Sequence, residues 1–174
     1  MFSKFSSAIM ALLVVMFLAS TANAQFENQR NYAGVHIGLS GVGSALTLGA
    51  DYERGITNPG EVGPGIIGIG GLFDYYSYSY FQTVKLTYID LGVSGMYHFV
   101  LDNKKWDPFL GLVLGYEIAT WSWSGGSGLS SPTAGGFTLG GSAGIRYFLS
   151  DSWALQARVG FGFYIFAVGV DYKF

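Results

Sequence analysis

The chain of 174 residues contains no cysteine, and only 11% of its residues are charged, against roughly a quarter in typical soluble domains. Without cysteine it cannot use disulfides, so its stability must come from burial and backbone pairing. After residue 24, no apolar run reaches the roughly 17 residues that a transmembrane helix needs, which excludes helical spans. Half of the residues are nevertheless hydrophobic and 17% are aromatic. High hydropathy without a spanning helix is typical of the other structure that crosses membranes, the closed β-barrel.

Strong positive charge is also lacking, because the formal net charge is −2. A nucleic-acid partner would require a basic surface, so we expect none.

An export signal is predicted at residues 1–24. Lys4 supplies a positive charge, an apolar run covers residues 8–19, and Ala22, Asn23 and Ala24 form a small-residue cleavage site. We therefore expect cleavage after Ala24, which leaves residues 25–174 as one barrel domain. The alternative is an uncleaved anchor, which the short apolar run and the well-formed cleavage site disfavour.

Period-two alternation runs through the mature sequence and predicts strands with two different faces. Eight such segments are found, and an even strand number is expected of a bacterial barrel. The predicted strands are 33–40, 45–53, 67–76, 89–99, 109–119, 137–148, 153–162 and 164–174. Val84, Leu86 and Tyr88 have the opposite parity from the strand that follows them, which indicates a bulge or a loop above the membrane.

One face of these strands is aliphatic or aromatic, whereas the other is rich in Gly and Ser and carries a few charges. The last strand illustrates this: Tyr164, Phe166, Val168, Val170, Tyr172 and Phe174 alternate with Ile165, Ala167, Gly169, Asp171 and Lys173. A soluble barrel would place large apolar residues inside and polar residues outside. Glycine weakens a solvated strand but fits a crowded narrow lumen, so we interpret the aliphatic face as lipid-facing. The predicted fold is an all-β, transmembrane, antiparallel up-and-down β-barrel of about eight strands.

The connections fall into two sets if the chain starts in the periplasm. Periplasmic turns are predicted at 54–65, 100–107 and 149–152, and extracellular links near 40–44, 77–83, 121–134 and 160–163. Charges cluster in the first set, and the segment WSWSGGSGLSSPT at 121–133 is uncharged and flexible in composition. The short extracellular links argue against an elaborate receptor.

Three segments resemble a known family. The terminal VGVDYKF resembles the C-terminal signal of outer-membrane barrels, an alternating strand that ends in an aromatic residue. Residues 106–117 and 140–161 resemble strands of small OmpA-like barrels. The resemblance extends over residues 25–174 and implies an eight-stranded barrel like the OmpA transmembrane domain or OmpX, in the bacterial outer membrane. It also implies that the barrel-assembly machinery reads the last strand, with Tyr172 and Phe174 as its signal.

Catalytic and metal-binding patterns are lacking. His36 and His98 both have lumen-facing parity, and no cluster of His, Asp or Glu has a recognisable metal spacing. A lipid hydrolase would need an outward-facing Ser–His–acid set. Neither Ser94 nor Ser127 has a histidine that can be placed beside it. We expect no enzyme, no metal and no cofactor, and a lipid-modifying enzyme is the least favoured alternative.

Charged residues of the inward face are the best functional candidates. Asp74, Asp90, Glu117 and Arg158 are expected in the outer half of the lumen. Asp51, Glu53, His98, Arg146, Asp171 and Lys173 are expected in the periplasmic half. Because the lumen of an eight-stranded barrel is just wide enough for side chains to fill it, a structural network of paired charges is favoured over a gated ion path.

The sequence thus predicts a small outer-membrane barrel with a structural or interaction role and a filled lumen. A narrow channel or carrier for small apolar molecules is the alternative. Its expected partners are outer-membrane lipid, lipopolysaccharide and the assembly machinery, and we expect a monomer.

Overall fold

A computed structural model describes residues 25–41, 43–80, 84–123 and 132–174. Its strands form a closed barrel in which each strand pairs with its neighbour in sequence and β8 closes on β1. All eight strand pairs are antiparallel, as predicted. The predicted signal at 1–24, Ser127 and most of the predicted loop 121–134 lie outside the described residues.

The eight strands differ in length. They are β1 Asn31–Leu39, β2 Leu46–Gly55, β3 Ile66–Tyr80, β4 Val84–His98, β5 Trp106–Trp123, β6 Thr133–Phe148, β7 Trp153–Phe161 and β8 Phe166–Lys173. Both ends of the described chain lie at one rim, where Asn31 and Phe174 exchange backbone hydrogen bonds of 3.0 and 2.9 Å. This rim is called the terminal rim, and the opposite one the far rim.

Burial alternates along the strands, and the large apolar side chains point outwards. Leu112 is 61% exposed, and Ile145 and Val168 are 37% and 38% exposed, whereas Arg146 and Arg158 are buried. The predicted faces of these residues are therefore confirmed, and in the described ranges no second sheet covers the exposed belt. In the described ranges no helix is long and apolar enough to span a membrane.

Aromatic residues border this belt at both rims, as in transmembrane barrels. Those near the terminal rim are Tyr52, Tyr97, Phe99, Trp106, Tyr147, Trp153, Tyr172 and Phe174, and those near the far rim are Tyr75, Tyr116, Phe137, Phe161 and Phe166. Two such bands are expected at the two boundaries of a bilayer.

The prediction of a bulge or loop at residues 84–88 is wrong. The β3–β4 and β4–β5 registers run without interruption through this segment. The four strands β3–β6 continue past the far aromatic band, so most of the predicted links 77–83 and 121–134 are strand where they are described. These strands are longer than predicted because the pairing continues beyond the point where the apolar residues change from the outward to the inward face.

Tyr164 and Ile165 also lie opposite to their prediction. Tyr164 is 3% exposed, and Ile165 is 51% exposed. The last strand begins at Phe166 rather than at residue 164, and Gly162 adopts a positive φ of 96° in the turn before it. That turn directs Phe163 and Tyr164 into the lumen, so the strand parity does not extend to them.

A short segment before β1 closes the terminal rim. Phe26 is 1% exposed, and its ring stacks on His98 with centroids 3.6 Å apart. The Tyr32 hydroxyl accepts a hydrogen bond from the Glu27 backbone at 2.9 Å and donates one to the Gln25 carbonyl. The segment therefore covers the end of the lumen at the terminal rim.

The turn after β2 at the same rim contains an ordered polar contact. The Asn58 backbone N–H and side-chain amide donate to Glu61 at 2.9 and 2.7 Å. These bonds stabilise the carboxylate and hold the pKa of Glu61 below its ordinary value.

Candidate functional site: the filled lumen and its far mouth

A cluster of ion pairs fills the lumen near the terminal rim. At its centre Arg146 is 1% exposed, with Nη2 2.7 Å from Glu53 Oε2 and Nη1 3.4 Å from Asp107 Oδ2. Its Nε also pairs with Asp171. His98 bridges the same two acids, with Nε2 2.7 Å from Glu53 and Nδ1 2.8 Å from Asp107. We call these five residues the ion cluster.

Aromatic rings pack around Arg146 at the centre of the ion cluster. The Arg146 guanidinium carbon lies 5.6 Å from the Phe26 ring, 5.4 Å from Tyr32 and 5.0 Å from Phe109. Such cation–π contacts are strongest where the cation is desolvated. The cluster is therefore both charge-paired and sealed.

Asp107 belongs to this cluster, although the sequence analysis placed it in a turn. It is 0% exposed, because β5 begins at Trp106 rather than at residue 109. The available signal was its parity, since residue 107 shares the inward face with Phe109 and Val113.

A second group of polar residues occupies the middle of the lumen. Asp51 receives Arg158 Nη2 and His36 Nδ1, both at 3.1 Å, and Gln156 Nε2 at 3.3 Å. His36 then reaches Asp74, with Nε2 2.8 Å from Oδ1. Arg158, expected in the outer half, thus lies beside Asp51, which was expected in the periplasmic half.

Apolar side chains fill the rest of the middle lumen. Phe163 and Tyr164 pack with Leu72, Met96, Phe109, Val113 and Ala167. Phe163 lies over Gly115 and Gly140, where an added Cβ would clash with its ring. The Tyr164 hydroxyl also pairs with Ser142 Oγ at 2.9 Å. We call Phe163, Tyr164 and the side chains packed against them the apolar plug. Strand parity did not predict it, because residues 163 and 164 precede the last strand rather than belong to it.

Little empty space remains between the apolar plug and the ion cluster. The cavity bounded by Leu72, Met96, Arg146 and Arg158 measures about 10 Å³, roughly enough for one water. At this level the lumen is filled by side chains.

Three carboxylates face one another above the plug. Asp74 lies opposite Asp90 across β3–β4, and Asp90 lies opposite Glu117 across β4–β5. We call these three residues the acidic row. Like charges directly opposite each other are destabilising. Glu117 accepts a hydrogen bond of 3.3 Å from the Tyr76 hydroxyl, whereas both carboxylate oxygens of Asp90 are buried without a partner in the described part of the chain.

The strands β3–β6 continue beyond the acidic row, away from the terminal rim, and form a wall. In this wall the inward face is largely apolar and the outward face is polar, which is the reverse of the arrangement in the belt. We call residues 76–80, 84–88, 119–123 and 133–134 the far wall. Its inward face carries Tyr76, Tyr78, Leu86, Tyr88, Ala119 and Trp121, and its outward face carries Ser77, Ser79, Lys85, Thr87, Thr120 and Ser122. An outward face of this polarity is suited to water rather than to hydrocarbon.

In the described ranges, no further strand pairs with either edge of the far wall beyond Tyr76. The β2–β3 pairing ends at Thr47 and Tyr76, and the β6–β7 pairing begins only at Gly141 and Phe161. Tyr76 and Tyr88 stack at its base, with ring centroids 4.7 Å apart. The wall is thus a concave aromatic surface above the acidic row.

The remaining predicted residues lie at the terminal rim. Lys173 Nζ is 3.0 Å from Glu27 Oε1, outside the ion cluster. Tyr172 and Phe174 point outwards, 41% and 53% exposed, and Tyr172 packs beside Trp153 with centroids 4.9 Å apart. This position in the aromatic band is where a strand-end signal would be accessible.

Comparisons with known proteins place the fold among small outer-membrane barrels. The N-terminal β-barrel domain of Pseudomonas aeruginosa OprF matches with a TM-score of 0.55 and 14% identity, over 84% of this chain and 98% of that one. Neisserial surface protein A gives 0.54 and 19%, over 83% and 95%. OprG of P. aeruginosa gives 0.56 and 11%, over 88% and 99%. No family model and no curated protein sequence matches the chain.

Proposed function

We propose that this chain, which has the fold of the small outer-membrane barrels, is an integral outer-membrane protein with an interaction role and no through-pore. The observation that carries this proposal is the difference between its two ends: the ion cluster closes the terminal half, whereas four strands continue beyond the lipid-facing belt. The terminal rim faces the periplasm, and the far wall faces the cell exterior.

The closed lumen supports the absence of conduction. A permeating ion would have to separate Arg146 from three carboxylates in a sealed environment, where breaking such a pair is strongly unfavourable. It would also have to displace Phe163 and Phe26. The alternative of a narrow channel or carrier therefore requires a rearrangement of the whole filling.

The far wall supports an interaction role. A structural barrel needs only strands long enough to cross the bilayer, yet β5 has 18 residues whereas β8 has 8. The additional length presents aromatic side chains on a concave face whose edges, in the described ranges beyond Tyr76, pair with no further strand. Contact with a partner is the function that such a surface supports best.

We also propose that the protein is not an enzyme and acts as a monomer among lipid and lipopolysaccharide. The chain has two histidines, and each bridges two carboxylates inside the lumen. Neither is left to activate a serine at the lipid surface.

The orientation can be tested with single cysteines, because the chain has none of its own. Ser79→Cys lies on the exposed outward face of the far wall, and Ser150→Cys lies in the exposed turn at the terminal rim. We expect a membrane-impermeant maleimide to label the first variant on intact cells and the second only after lysis. The reverse pattern would overturn the proposed orientation.

Conduction is tested in planar bilayers with the purified unaltered barrel. We expect no steady conductance steps. A stable open channel would refute the proposal in favour of transport, and a native mass spectrum showing a retained apolar molecule would favour a carrier.

A further inference from the structure

The geometry points to a binding site for a primary ammonium group at the base of the far wall, where Asp90 and its neighbours would hold the charge and the aromatic wall would hold an apolar or aromatic body. This inference rests on the proposed function, because it names the class of ligand that the exterior surface contacts.

Unpartnered polar atoms lie on three neighbouring strands at this end of the lumen. Among the described residues, both carboxylate oxygens of Asp90 are buried without a hydrogen bond, and so are Oδ2 of Asp74 and Oγ1 of Thr47. Asp90 is 1% exposed, and Asp74 and Thr47 are 0% exposed. Buried polar atoms without partners are costly and rare, so four of them on neighbouring strands require an explanation.

These atoms occupy two successive rows of the barrel wall. Thr47 lies opposite Tyr76, which lies opposite Tyr88. The next row of lumen-facing residues, nearer the terminal rim, is Asp74, Asp90 and Glu117. Three of the four atoms are carboxylate oxygens, which only accept when the carboxylates are ionised, so an ionised row requires a donor from outside it.

The charges of the lumen do not balance at this end. The lumen's basic side chains are His36, His98, Arg146 and Arg158, and they pair with Asp51, Glu53, Asp74, Asp107 and Asp171. In the described ranges no cationic side chain pairs with Asp90 or Glu117. A positively charged donor would satisfy both the hydrogen bonds and the charge.

An ammonium group fits this environment better than a metal ion does. Among the described residues no three His, Cys, Asp or Glu side chains are placed to hold a metal ion. An ammonium nitrogen offers three N–H donors, and aromatic rings attract it through their faces. The stacked Tyr76 and Tyr88 rings lie one row above Asp90.

Within the described ranges, the acidic row has open space beside Glu117. Gly136 lies opposite Glu117 across β5–β6, and an added Cβ there would meet no atom within 4 Å. Beyond it, Trp121 and Leu86 line the concave face on the way to the exterior. A slender ammonium end can therefore enter beside Glu117 while its apolar body remains against the wall.

The test uses the purified barrel in a nonionic detergent, because zwitterionic detergents carry quaternary ammonium groups. The probe is 2-phenylethylammonium, and its neutral analogue 2-phenylethanol is the matched control. We expect saturable binding of the amine by calorimetry and at least about ten-fold weaker binding of the alcohol, since the alcohol lacks the charge.

The decisive variant is Asp90→Asn, which keeps the shape of the side chain and removes its charge. We expect it to raise the dissociation constant at least about ten-fold. Asp151→Asn, in the exposed turn at the terminal rim, should leave binding unchanged. If Asp90→Asn does not fold, Glu117→Gln at the half-buried end of the row serves in its place, with a smaller loss expected.

Equal binding of the amine by the unaltered protein and by Asp90→Asn would overturn the site. The absence of saturable binding would also overturn it, and that result is expected if Asp90 and Glu117 merely share a proton. Saturable binding of calcium without binding of the amine would also overturn it. A conducting barrel that still binds the amine would refute the proposed function alone. A silent barrel with a labelled far wall and no amine binding would refute this inference alone.

Discussion

His36 reaches Asp74 directly across the face of Gly49. Gly49 lies between them in register, on the strand that separates β1 from β3, and the Nε2–Oδ1 distance is 2.8 Å. A Cβ on residue 49 would approach both atoms of this hydrogen bond more closely than 3.0 Å. The glycine is therefore required by the ion pair that crosses it.

Gly49→Ala should destabilise the barrel by about 1–3 kcal/mol, because either the His36–Asp74 pair or the strand must move. Gly136→Ala is the matched control, since it has the same inward parity and open space around it. Urea unfolding of both refolded variants measures the difference. Equal stabilities would show that the pair can move at little cost.

Arg146→Met should cost about 3–5 kcal/mol of unfolding free energy, because it leaves Asp171 without its paired cation and leaves Glu53 and Asp107 with only His98 as a partner. Arg54→Met, on the exposed face of β2, should change stability by less than about 0.5 kcal/mol. The two variants are compared by urea titration. A small effect of Arg146→Met would mean that the ion cluster does not hold the terminal half together.

Phe161 and Phe163, which are separated only by Gly162, should respond differently to truncation. Phe163 is 3% exposed inside the lumen, and Phe161 is 63% exposed on the outer face. Phe163→Ala should cost about 3–5 kcal/mol through the cavity it leaves, whereas Phe161→Ala should cost much less. Similar losses for both would contradict the inward turn of residues 163–164.

The sequence predicted the barrel, its strand number and most of its faces, because lipid on one side and a narrow lumen on the other force a strict alternation. It also identified most of the charged lumen residues by their inward parity, but it placed Asp107 in a turn. The pairing within the lumen could not be predicted: Arg158 selects Asp51 through the three-dimensional register. The rule that apolar residues face outwards failed at Tyr164, which follows a turn, and at residues 84–88, where the inward face carries the apolar side chains.

The extent of the bilayer can be tested on one strand. Leu112 lies in the middle of the exposed belt on β5, and Leu112→Arg should cost about 2–4 kcal/mol near the midplane. Ser122→Arg has the same outward parity on the far wall and should cost little, because its surroundings are aqueous. Unfolding in lipid vesicles compares them. A large penalty at residue 122 would place the far wall inside the membrane.

The last prediction concerns Phe174 and Tyr172 as an assembly signal. The backbone of Phe174 bonds to Asn31, so Phe174→Ala keeps the closing hydrogen bonds and removes only an exposed ring. Because a ring in the aromatic band is partly in contact with headgroups and water, its loss should cost the folded barrel only a fraction of a full aromatic burial.

Assembly, by contrast, depends on the last strand finding the first. Until β8 pairs with β1, two strand edges are open, and an open edge cannot persist in hydrocarbon. A chain whose last strand is poorly recognised should therefore stall before closure and be degraded. We expect low cellular abundance for Phe174→Ala but near-normal stability after refolding in detergent, with Phe137→Ala, an exposed ring at the far rim, normal in both. Normal abundance of Phe174→Ala, or an equal loss of its stability in detergent, would show that the ring acts in the finished fold and not as a signal.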